Sequence, residues 1–163
     1  MTLGMQGGGA VNIFFLDRDP TSAARYHCDK HCVKMILEYA QLMSTAHEGA
    51  PGVYRPTHRN HPCSVWVRES RAHYVWLYAL WTALLEEYSA RYCRTHASSN
   101  LQDLLEHPPG SLGESRWLRD PPQAMPEEYQ QEDTVSAYRA YCKGAKASFA
   151  RWSHSPQPHW WNE

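Results

Sequence analysis

Hydrophobic and polar positions divide the chain into helical stretches separated by turn-forming clusters. The apolar run at 12–16, NIFFL, reads as a short strand or a buried apolar start. Asp19-Pro20 is a helix-start signal, with Asp at the cap and Pro at the first helical position. The first long helix is predicted from there to about His47, where Gly49-Ala50-Pro51-Gly52 ends it. His61-Pro62 opens a second, through about Tyr92. Asn100 can cap a short helix, LQDLLEH, stopped by Pro108-Pro109, and Asp133 can cap a last helix to about Trp152. Residues 108–126 are rich in Pro and form a long ordered or lid-like loop. No internal repeat is visible. The fold expected is all-α: a compact single domain of three main helices, short helices and one Pro-rich loop, with at most one N-terminal strand.

On a helical wheel the first helix carries a narrow ionisable stripe of His27, Lys30, His31, Lys34, Glu38, Gln41 and Thr45. The remainder is mostly apolar, with Val33 and Leu37 on the wide face assigned to the core. Within the stripe His27 is expected to meet His31, and Lys34 to meet Glu38, four residues apart. Such a stripe fits an ordinary solvated face. It equally fits the polar wall of a cleft, where a partly desolvated Lys beside a carboxylate acts as a nucleophile or proton donor.

Composition changes that picture in one respect. The 163 residues include 10 His, 7 Trp and 10 Tyr, an excess of groups that stack, ligate metals or titrate near neutral pH. A net charge of −1 excludes an overall polybasic coat but leaves a localised basic face open. Five Cys without an export signal favour reduced thiols in a cytoplasm. No apolar run reaches the length of a membrane span. Gly4, Gly7, Gly8 and Gly9 make the start core-free, so residues 1–11 are read as a flexible extension and 12–163 as the helical domain. Val11 can be encoded by an alternative start codon, so the native start is placed at 11; a genuine loose tail fits equally.

Further candidates lie on the later helices. Glu69 and His73, four apart on an apolar side that also carries Trp66, need partners. They fit a satisfied core pair or an extension of the site to His27, His31, Lys34, Glu38, Glu69 and His73. Arg139, Lys143 and Lys146 share a stripe near a helix C-terminus, which suits dipole compensation or a phosphate-facing surface. The loop YRPTHRNHP adds Arg55, His58, Arg59 and His61. With Trp66 for stacking, these would form a nucleic-acid interface. The segment HCDKHC invites a zinc reading, but Cys28 and Cys32 lie about 100° round the helix from the His pair. A divalent metal would therefore need His27, His31 and His73; otherwise no cofactor is expected.

The blocks NIFFLD, YHCDKHCVKMILEYAQLMSTAH, HPCSVWVRES, PPQAMPEEY and AYCKGAKASFARW together resemble a family of small phage-encoded proteins, over residues 12 to about 161. The order of blocks is also similar to that of the pyrimidine-dimer DNA glycosylases of the endonuclease V type. That resemblance rests on the polar start, a first helix with His and Glu, the HP…W block and the late aromatic-Lys-Trp block. It implies an amine that attacks the sugar C1′ and forms a Schiff base, with a first-helix Glu whose position here is Glu38, at a spacing that departs from the family's. In that family the nucleophile is a free N-terminal amine. Here an extension precedes Asn12, so the role falls to Lys34.

The function these features fit is a phage-type DNA-acting enzyme in the cytoplasm. It would be a glycosylase and abasic-site lyase, or a base-modifying enzyme, working on a flipped nucleotide. Lys34 would attack, Glu38 would handle protons, and His27 and His31 would orient the substrate or bind phosphate. Two alternatives remain. One is a metal-dependent helical-bundle hydrolase or nucleotide-modifying enzyme using the His cluster. The other is a non-enzymatic phage accessory protein that anchors a host factor through Trp160 and Trp161.

Overall fold

A computed structural model describes residues 11–163. The extension expected at the N-terminus lies outside the described residues, save Val11, which is buried against the core. Six α-helices run in order: α1 (Pro20–Tyr26), α2 (Asp29–Ala46), α3 (Pro62–Glu69), α4 (Arg71–Tyr92), α5 (Gln102–Leu105) and α6 (Thr134–Ala145). Short 3-10 turns lie at Ala97–Leu101 and Glu127–Tyr129. Among the described residues there is no strand, and none of the helices is long and apolar enough to cross a membrane. Residues 12–16 are extended and buried but pair with no other strand. The all-α expectation holds, with 12–16 as a buried apolar start.

The start signals act as their chemistry dictates. Asp19 accepts from Ser22 N, His61 from Cys63 N and Asp133 from Ser136 N, each satisfying an amide the helix leaves unpaired. The short helix is capped by His96, whose ring accepts from Ser98 N, and not by Asn100.

Each of the two long helices is interrupted. The first breaks at His27–Cys28, where His27 turns extended at φ −64°, ψ 127°. The carbonyls that the break frees are taken by Arg91 from α4. The second breaks at Ser70 (φ −154°, ψ 141°), whose hydroxyl bonds the carbonyls of Glu114 and Arg116 while also capping α4 through Ala72 N. The last helix leaves helical geometry at Lys146, short of the expected Trp152. Its tail is drawn onto the α1–α2 junction, where Asp29 N bonds Arg151 O and Trp152 Nε1 bonds Tyr26 O.

The core is one cluster in which α2 and α4 pack across Met35, Ile36, Tyr39, Leu77, Leu80 and Trp81. The Pro-rich loop is tied to the helices beneath it. Trp66 Nε1 donates to Arg119 O and Leu118 N donates to His73 Nε2. Val33 and Leu37, assigned to the core from the wheel, are each 41% exposed and belong to no buried cluster.

Candidate active site

The ionisable stripe survives on α2 without His27. That ring is fully buried in the junction, with Nδ1 2.7 Å from Ala23 O and Nε2 2.8 Å from Tyr39 Oη. Ala23 O can only accept, so Nδ1 carries the proton and Nε2 accepts from the phenol. Tyr39 Oη in turn accepts from Phe14 N. Burial pushes His27 down to about 4, so it stands neutral. It therefore holds the 12–16 segment in place and is closed to substrate and metal.

Phe14 is the result of that anchoring. Its ring stacks on His31 at 4.3 Å and meets His27 edge-on at 6.0 Å. The two imidazoles, expected to touch each other, both pack on this ring. Asn12, Phe14, His31, Lys34, Met35, Tyr141 and Lys146 line a cleft of about 40 Å³. That is room for a few water molecules. A space this narrow suits the edge of a sugar or a phosphate better than a whole base.

The charges around the cleft are arranged for that. Burial, seconded by His27 and three lysines, lowers His31 to about 3, so it is a neutral donor and acceptor. Lys34 Nζ lies 3.7 Å from Glu38 Oε2, one turn along α2. That oxygen is buried and has no hydrogen-bond partner among the described residues. Desolvation raises the Glu38 carboxyl above its ordinary range, against the pull of Lys34. A carboxylate raised in this way is suited to take and return protons.

The second cluster stands elsewhere. Glu69 pairs with Arg119 at 2.9 Å. His73 stacks on Trp66 at 4.2 Å and 7°, with Nδ1–H donating to Trp66 O and Nε2 accepting from Leu118 N. Both nitrogens are used, and neither residue lines the cleft. Six expected site residues thus separate into two that line the cleft (His31, Lys34), Glu38 paired with Lys34 one turn further along α2, an anchor behind the cleft (His27) and two residues satisfied under the 114–119 loop (Glu69, His73). His27, His31 and His73 do not come together, and the described residues contain no group of three metal-ligating side chains.

The expected nucleic-acid residues also divide. Lys146 belongs to the cleft, its ammonium 4.9 Å from the Tyr141 ring centre. Arg139 is committed within the fold to Leu16 O and Asp17, and Lys143 to the carbonyl of Glu163. Trp66 is wholly buried and offers no face to a base. Arg55 and His58 are exposed, Arg59 pairs with Glu48, and His61 caps α3, all on the loop after α2. That loop starts about 18 Å along the α2 axis from Lys34. Trp160 is 2% exposed and Trp161 packs on Trp152, so the expected host-factor anchor is largely interior.

Sequence reasoning missed Asn12, Phe14, Tyr39, Tyr141 and Arg91. One signal was present for the first: an Asn beside an apolar run must be satisfied if buried, and Asn12 is, by Ala124 O and Tyr138 Oη.

Comparison with known families adds the decisive observation: the family described as pyrimidine dimer DNA glycosylase matches residues 11–100. The chain belongs to that family. The match spans the segment that floors the cleft, the junction that anchors it and all of α2. Membership in the pyrimidine dimer DNA glycosylase family implies a glycosylase-type enzyme whose substrate is DNA. No curated protein and no solved structure matches the chain.

Proposed function

We propose that this glycosylase also cleaves the strand at the site it empties, through an imine formed by Lys34. The observation that carries the reading is Lys34, which lines the cleft with neutral His31 and Lys146 and pairs with Glu38 at 3.7 Å. Lys34 Nζ, having passed a proton to Glu38, bonds to C1′ as the glycosidic C–N bond breaks; its electron pair leaves with the base, which takes that proton from Glu38. A second proton from the same nitrogen goes to O4′ as the C1′–O4′ bond opens, which leaves an iminium. The Glu38 carboxylate then takes the C2′ proton, and the electron pair of that C–H bond expels the 3′ phosphate. His31 donates to the sugar or a phosphate, and Lys146 offers a second cation to the backbone. Only protein groups take part.

Borohydride trapping on a duplex containing an abasic site tests this directly. The wild-type protein should form a covalent adduct and Lys34→Ala should not. Absence of any adduct, or one that persists undiminished in Lys34→Ala, would remove Lys34 from the mechanism.

A further inference from the structure

Val33 and Leu37 are the anomaly of α2. They sit four residues apart, each 41% exposed, on a helix whose other apolar side chains are buried. Neither is part of the buried core, and Val is among the weaker helix formers. Their neighbours on the surface are charged. Lys30 precedes Val33 by three residues and Lys34 precedes Leu37 by three, so the four side chains form one strip. Lys34 is the cleft lysine. Lys30, at the other end, lies 4.4 Å from the ring centre of Phe149, which itself packs edge-on to His31. An apolar pair bordered by two lysines, beside a narrow cleft, is complementary to a polyanion whose interior is apolar: a duplex opened at one step.

We infer that Val33 and Leu37 form a wedge that enters the DNA duplex at the damaged step, with Lys30 on a flanking phosphate and Lys34 left at the C1′ of the opened nucleotide. The inference rests on the DNA-acting reading of this site and adds how the lesion is recognised. A damaged or base-less step is already weakly stacked, so a wedge enters there at lower cost than between intact pairs. Discrimination then comes from the apolar pair, while Lys30 supplies affinity common to all sequences. The wedge also brings C1′ of the opened nucleotide to the cleft mouth without any base entering the cleft.

The test is binding without chemistry. A tetrahydrofuran abasic analogue lacks the C1′ oxygen function that an amine attacks, so affinity is read apart from imine formation. The double variant Val33→Ala/Leu37→Ala is compared with wild type on three DNAs: a duplex with the analogue, the intact duplex, and the analogue strand alone. The preference for the analogue duplex over the intact one should fall roughly tenfold. Binding to the single strand, which has no stack to open, should be unchanged, and Leu37→Met should keep the wild-type preference. Thermal melting of each variant reports folding separately. An equal loss on all three DNAs, or no loss on any, would overturn the wedge. So would a concentration-dependent dimer on gel filtration that the double variant abolishes while DNA binding stays intact. Borohydride trapping of the wild type on a true abasic site is scored independently, so failure of the imine and failure of the wedge give different results.

Discussion

Arg91 Nη1 donates a 2.8 Å hydrogen bond to the carbonyl of His27, the residue at which α1 gives way to α2. The same guanidinium, wholly buried, reaches Arg25 O, pairs with Asp29 at 3.1 Å and with Glu87 at 2.9 Å. Asp29 and Glu87 in turn receive Ser153 and Ser155 from the C-terminal tail. One side chain thus fixes the break that sets the start of α2, and with it the position of His31, Lys34 and Glu38. Arg91→Ala strips partners from two carboxylates and two carbonyls. Urea denaturation should show a loss of about 3–5 kcal/mol, as for other buried pairs broken on one side. A loss below about 1 kcal/mol would mean that the junction holds without it.

Two histidines make stability depend on pH. His27 and His31 have folded values lowered to about 4 and about 3, against 6.5 when unfolded. Between those limits the unfolded chain binds more protons, so stability is full above 6.5 and falls as pH drops towards 4. Each contributes on the order of a few kcal/mol over that window. Thermal melts from pH 7.5 to 4.5 should show a steep decline. In His27→Gln the melting temperature should be lower at neutral pH and the slope shallower, because one titrating group is gone. A slope identical to wild type would contradict the buried, neutral assignment of His27.

Under the proposed mechanism Glu38 governs the pH profile of the reaction. Its carboxyl is raised by desolvation above the ordinary 4.5, and in that mechanism its ionised form accepts the proton from Lys34. Activity should therefore increase with pH through a limb lying above the normal carboxylate range. Glu38→Gln should lower the rate by about 10²–10⁴-fold and abolish that limb. A limb that survives in Glu38→Gln belongs to another group.

The 114–119 loop is tied to Ser70 and His73, and Gly113 makes the strength of that tether testable. A Cβ on Gly113 would collide with the backbone carbonyl of Glu69, so Gly113→Ala must displace the loop that Ser70 and His73 hold. The expected cost is about 1–3 kcal/mol of stability, read by denaturation. An unchanged midpoint would show the loop to be free to shift.

Much of the framework was legible because local chemistry set it. Asp19-Pro20, His61-Pro62 and Asp133 start helices where their side chains predict, and the Lys34–Glu38 pair follows from spacing alone. The breaks at His27 and Ser70 were not legible, since no Gly or Pro marks them. Arg91 lies 64 residues from His27, and the carbonyl of Arg116 lies 46 from Ser70; partners so distant override a continuous helical pattern. The same limit hid the division of the two histidine clusters. His27 and His73 look available in sequence and spend both ring nitrogens in the fold. Val33 and Leu37 erred in the opposite direction, because hydrophobicity predicts burial and not which partner supplies it.

The central claim is that Lys34 is the nucleophile. The borohydride-reduced complex with abasic-site DNA, digested and mapped by mass spectrometry, locates the bond. The sugar remnant should be found on Lys34 Nζ; a remnant on Lys146, on another lysine or on a main-chain amine would contradict it.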